Sequence, residues 1–159
     1  MPKILSSFLS AIALYFYAFS SFAGLSPIHI AFVGGETTFA SNSYGTAHYA
    51  VTVNRAVPPN VALTLFLAQI NENANLTASP ITTGTSFCPG INTVCGIVFS
   101  LYAGQSCCLK LHLTSNQPGN YNLQPLISTT PVPTYSAKAS SALTIRVVNP
   151  VNSVHAPGS

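Results

Sequence analysis

The sequence predicts an all-β protein, one small sandwich of about seven to eight strands. Three observations carry that expectation. Short apolar runs alternate with polar residues at a period of two. Clusters of Gly, Pro and Asn separate those runs. No stretch makes a convincing amphipathic helix, although the leucines of Val61 to Ile70 would allow a short one.

A leader comes before the first strand. Lys3 supplies a positive start, Ile4 to Phe19 is apolar apart from serines, and Ser21-Phe22-Ala23 ends the segment with small residues at its first and third positions. Charge, apolar core and small-x-small site, in that order, are the marks of a signal peptide. Cleavage is expected after Ala23, which makes residues 1–23 the signal peptide. The competing reading is an uncleaved anchor, since about 20 apolar residues span a bilayer. The interspersed serines and the small-x-small end favour cleavage. No Cys follows the site to take a lipid, and no later run is long enough to span. Membrane contact is therefore expected only through the signal peptide, and the mature protein is expected to be secreted or periplasmic.

The strands follow in order. Ile28 to Val33 is a short apolar run closed by Gly34-Gly35. In Ala47 to Asn54, Tyr49, Val51 and Val53 alternate with Ala50, Thr52 and Asn54, and Pro58-Pro59 ends the element because proline cannot donate to a ladder. Val61 to Ile70 places Leu63, Leu65 and Leu67 on one face. It is read as a strand because the run is short and lies between turn formers. Ser79 to Gly84 is a short edge segment beside Pro80. Gly96 to Leu101 and Ser106 to Leu113, joined by Tyr102-Ala103-Gly104-Gln105, read as the clearest hairpin in the chain. Cys107, Leu109, Leu111 and Leu113 face one way there, and Cys108, Lys110 and His112 the other. Gln117 to Asn120 is a turn, Tyr121 and Leu123 begin the next strand, and Leu143 to Val147 is the last. Residues 24–148 are thus expected to form one immunoglobulin-like sandwich. The tail 149–159, with Pro150 and Pro157, is expected to be flexible.

Composition narrows the partners. Charged residues make up 4% of the chain and hydrophobic residues 48%, against roughly 25% charged in an ordinary soluble domain. Low charge with high hydrophobicity is the reverse of the disorder signature. There is no Asp; the acids are Glu36 and Glu72, and the bases Lys3, Arg55, Lys110, Lys138 and Arg146 are scattered. Phosphate neutralisation requires clustered Lys and Arg, so no nucleic-acid partner is expected.

Four cysteines, Cys88, Cys95, Cys107 and Cys108, lie close together. In an exported protein an even count reads as two disulfides, with three possible connectivities. A bond between the neighbours 107 and 108 is strained and is discounted. Alternation turns Cys107 to the apolar face, so it is expected to make the buried bond. Cys95–Cys107, tying the two arms of the hairpin, with Cys88–Cys108 closing an outer loop, is the pairing expected. Cys88–Cys107 with Cys95–Cys108 is the second option. The spacing is neither a zinc pattern nor a C-x-x-C redox motif.

Catalytic and cofactor readings find little support. The histidines are His29, His48, His112 and His155, and a triad has almost no carboxylate to orient its imidazole. No nucleophile elbow and no phosphate loop is present. Glu36 and Glu72 are the only acids a glycosidase could pair, and each sits among turn residues. Cys108 and His112 as a metal pair would lie about 13 Å apart along one strand. No cofactor and no metal is expected. Asn75-Leu76-Thr77 is a formal glycosylation sequon.

Tyr49-Ala50-Val51-Thr52-Val53-Asn54, Ser79-Pro80-Ile81, Phe99-Ser100-Leu101, Gly104-Gln105-Ser106-Cys107 with Leu109 and Leu111, Tyr135-Ser136 and Leu143-Thr144-Ile145 together resemble a group of small exported Ig-like proteins of Gram-negative bacteria. The group's wider relatives are the hydin-like Ig domains of bacterial surface proteins. The chain departs from that pattern in lacking later cysteines near Pro131 to Tyr135 and in carrying the neighbour Cys108. The resemblance implies a fold and an export route, and no activity. The function expected is an exported, non-enzymatic binding module with a protein or glycan partner. A structural subunit or assembly factor of a surface structure is the alternative, and an enzyme is the third.

Overall fold

The computed structural model describes residues 26–54, 57, 58, 60–71, 75–130 and 134–150, with Gln69 and Asn71 described by backbone only. The described residues form ten strands and no helix: β1 (Ile28–Gly34), β2 (Thr38–Ala40), β3 (Tyr44–Val53), β4 (Leu63–Asn71), β5 (Thr77–Ile81), β6 (Val98–Leu101), β7 (Ser106–Thr114), β8 (Gly119–Thr129), β9 (Ser136–Lys138) and β10 (Leu143–Val148). None of them is therefore a helix long and apolar enough to cross a membrane.

The strands form a two-layer sandwich. One sheet has four strands in the order β1-β3-β7-β5. The larger runs β2-β10-β8-β4-β6, with β9 beside β8. All pairings are antiparallel except β10 with β2. The period-two pattern does the sorting. In β3, Ala47, Tyr49, Val51 and Val53 are buried while the residues between them are partly exposed. Leu109, Leu111 and Leu113 of β7 meet Leu65, Tyr121, Leu123, Ile127 and Ile145 of the larger sheet in one core. Each such aliphatic side chain contributes roughly 1.5–3 kcal/mol by leaving water. The Phe39 ring of β2 lies directly over Gly45, where a Cβ would collide with it.

Two tyrosines treat their hydroxyls differently. Tyr121, at the start of β8, donates to the Gln117 carbonyl at 2.8 Å, the arrangement of the tyrosine corner of Ig-like sandwiches. Tyr49 lies in the core, edge-to-face with Phe32 at 5.6 Å, and its buried hydroxyl has no hydrogen-bond partner among the described residues.

The eight runs read as strands are all strands, with shifted ends. The two further strands, β2 and β9, have three residues each. One expectation is overturned. The runs 96–101 and 106–113 are not a hairpin: β6 pairs with β4 in the larger sheet, while β7 pairs with β3 and β5 in the other. The turn between them is tight, Gln105 N–H donating to the Tyr102 carbonyl at 3.0 Å with Gly104 at φ 81°. It is then fastened to the end of β3, since Gly104 N–H donates to the Val53 carbonyl and Val53 N–H to that of Gln105. The chain thus crosses from one layer to the other. Both runs bury an inward face, and alternation fixes facing without fixing the sheet.

The strands that end the two sheets are short or interrupted, and β9, paired only with β8, has three residues. β1 carries a bulge between Phe32 and Gly34, β5 contains Pro80, and β2 and β6 have three and four residues. Residues 1–23, Glu72, His155 and most of the tail lie outside the described residues.

Candidate functional site: the outer face of the four-stranded sheet

The outward residues of β3, β7 and β5 form cross-strand rows. From one end they run Tyr44, Thr114, Thr77; then Thr46, His112, Ser79; then His48, Lys110, Ile81; then Ala50 with Cys108; then Thr52 with Ser106. The two ends of this face have different surroundings.

At one end the connection between β5 and β6 folds back over the sheet. Cys88 binds Cys108 on the outer side, with Cα atoms 5.6 Å apart. Residues 93–95 then run beside β7, Cys108 N–H donating to the Thr93 carbonyl and Cys95 N–H to that of Cys108. Cys95 binds Cys107 on the inner side, with Cα atoms 5.1 Å apart. Adjacent residues of one strand point to opposite faces, so neighbouring cysteines anchor this connection above and below the same sheet. Two disulfides with no free cysteine among the described residues mark folding in an oxidising environment.

Under that connection Lys110 is only 6% exposed. Its Nζ donates to the Thr85 carbonyl at 3.1 Å and sits 4.7 Å from the centre of the Phe87 ring. Phe87, itself 61% exposed, stacks on His48 at 5.2 Å. Burial, and secondarily the charge of Lys110, hold the His48 imidazole below the usual histidine range.

At the other end the face is open. The Tyr44 ring, 58% exposed, stacks on His112 at 5.3 Å. Beside this row lies a shallow cleft of about 500 Å³. Thr77 and Thr114 belong to its floor row, and Asn42, Ser43, Asn116 and Gln117 come from the adjoining loops. These loops are tied to one another. Asn42 takes a left-handed conformation, φ 63°, in a turn closed by Ser43 N–H donating to the Ala40 carbonyl. Asn42 N–H donates to the Ser115 carbonyl at 2.9 Å. Buried Ser115 donates through Oγ to the Gln117 carbonyl and accepts from Gln117 N–H. The Tyr121 hydroxyl bonds that same carbonyl.

The residues singled out in the sequence divide accordingly. All four cysteines are structural, and Cys108, bonded to Cys88, is not a partner for His112. His48 and His112 lie on this face, in different rows and each stacked on a ring. His29 is exposed on β1, and Glu36 is exposed between β1 and β2. Asn75 of the sequon also lines the cleft. The described residues contain no group of three or more His, Cys, Asp or Glu that could hold a metal. Sequence reasoning missed Tyr44, Phe87 and the cleft loops. Of the polar segments 41–43 and 115–117 only Gln117 belongs to a turn read from the sequence, and nothing local shows that the segments converge.

No protein-family model matches the chain, and no curated protein matches it. Among solved structures it is similar to the cupredoxin domain of amoB from Nitrosocaldus yellowstonii. The two are 10% identical with a TM-score of 0.49, over 77% of this chain and 89% of that one. It is also similar to WR4, a C. elegans MSP family member, at 8% identity and a TM-score of 0.38, over 79% of this chain and 100% of that one. Neither likeness carries a function to this chain, which is an all-β sandwich.

Proposed function

We propose that the chain is an exported, non-enzymatic binding module that meets its partner through the outer face of the four-stranded sheet. One observation carries this reading: exposed aromatic rings are held in fixed stacks on that face, Phe87 on His48 and Tyr44 on His112. Exposed aromatics on a rigid support provide contact area at little entropic cost. Export is supported by the leader pattern of residues 1–23 and by the two disulfides. The scarcity of carboxylates in the sequence supports a role without catalysis.

Intact mass of the natively expressed protein tests the export half. The expected mass corresponds to residues 24–159 less the hydrogens of two disulfides, with no alkylation under denaturing, non-reducing conditions. A retained leader or free thiols would overturn it. The binding half is tested by a photo-crosslinking residue placed at Phe87, at Tyr44 and, as a control, at Val98 on the β6 edge. Adducts at the first two positions are expected. Adducts only at Val98 would move the contact to the sheet edge and favour the assembly-subunit reading.

A further inference from the structure

We infer that the cleft beside Tyr44 is a binding site for a neutral carbohydrate. This rests on the binding-module reading above and names the ligand class for one end of the same face.

The lining chemistry selects the ligand. Asn42, Ser43, Thr77, Thr114, Asn116 and Gln117 offer amides and hydroxyls, and among the described residues no ionisable side chain lines the cleft. Among the described lining residues a phosphate or carboxylate ligand would find no cation, and a metal ion no carboxylate. An apolar peptide anchor would find no apolar pocket of the kind such ligands fill. Amides pair a carbonyl acceptor with two N–H donors in one plane, and hydroxyls both donate and accept. Neighbouring hydroxyls of a sugar ring, each a donor and an acceptor, are the natural complement. The other component of sugar recognition is a flat apolar surface for the C–H face of the ring. Tyr44 provides one in the row that contains Thr114 and Thr77, backed by His112.

The cleft is also built in advance. The Asn42 to Ser115 bond, the paired Ser115 to Gln117 bonds and the Tyr121 to Gln117 bond fix both of its main loops. Loops already ordered before binding lower the cost of closing on a small, well-hydrated ligand. The openness of the cleft suits a site that contacts one or two units of a longer chain, with water bridging the remaining polar groups.

The test uses the mature, oxidised protein on immobilised neutral oligosaccharides of hexose and N-acetylhexosamine units. Titration with any retained sugar is followed by backbone amide NMR. Retention on at least one sugar is expected, with shift changes concentrated at residues 42–44, 75–77 and 114–117. Tyr44→Ala should weaken binding about tenfold, the scale of one lost aromatic contact. Tyr44→Phe should retain it, and Val98→Ala, on the exposed β6 edge, should leave it unchanged. Absence of retention on every sugar, or retention undiminished by Tyr44→Ala, would overturn the inference. A protein partner crosslinking at Phe87 together with no sugar retention would overturn it and leave the binding-module reading standing. A chain that keeps its leader and free thiols would instead sink the export reading, whatever the sugars show.

Discussion

The two ends of the outer face rest on the same strands, β3 and β7, and finish those strands in opposite ways. At the Cys108 end a long connection is bonded down and excludes water from residues that alternation turned outward, so that Cys108 and Lys110 are buried. At the Tyr44 end three polar loops meet around an uncovered row of threonines. Covalent closure holds the first end. Hydrogen bonds centred on Ser115 and the Gln117 carbonyl hold the second. The difference teaches that one regular ladder can serve as a sealed second layer at one end and as the floor of a cleft at the other. What decides is the length and chemistry of the connections, not the strands.

The largest test of this contrast removes the covalent closure. In the chain-entropy model each bond is worth roughly 3 kcal/mol. The sequence separations of 20 and 12 residues would make Cys88–Cys108 slightly the more valuable. Cys95 and Cys107 belong to the core cluster, however, so replacing both with Ala adds a packing loss. The double Ala variant of the inner pair should therefore lower the denaturation midpoint more than that of the outer pair. The reverse order would mean that loop entropy alone sets the value of these bonds.

At the open end the analogous test is smaller. Tyr121→Phe should cost about 1–1.5 kcal/mol in urea unfolding, because it removes a hydrogen bond that shapes the Gln117 loop. Tyr49→Phe removes a hydroxyl that is buried without a partner and should leave stability unchanged or slightly raised. Equal losses at the two positions would contradict the different roles assigned to their hydroxyls.

The smallest effect returns to the sealed end and is read as a pH dependence. His48 titrates below its ordinary value of 6.5 in the folded protein because burial and Lys110 oppose its charge. The unfolded chain then binds the proton more readily, so stability should fall as the pH drops below about 6.5. The loss should level off once the folded imidazole is also protonated. His48→Gln should flatten that part of the curve. A slope unchanged in the variant would assign it to another group.

Legibility in the sequence follows the same division. Strands β3, β7 and β10 were readable because inward apolar residues alternate over five or more positions. β2 and β9 were not, since three residues are too few to display a period. The layer change between β6 and β7 was hidden because a tight turn with Gly104 looks the same within one sheet and between two. Alternation of Cys107 and Cys108 pointed to opposite faces, and the two disulfides occupy opposite faces. Burial of Lys110 was not readable, because it depends on where residues 82–97 settle. The cleft was the least legible feature. Its residues come from three separated polar segments whose meeting is a property of the topology.

Pro80 has a consequence for life at high concentration. An open sheet invites a second molecule to extend it, and that invitation depends on a row of free N–H and C=O groups. Along β5 the proline removes one N–H from that row. β1 twists at its bulge, and β2 and β6 end before a long register can form. Molecules of this protein packed side by side should therefore remain separate particles and not polymerise strand to strand. Should Pro80→Val convert a monodisperse sample into growing assemblies, that single ring would prove to be the molecule's guard against self-association.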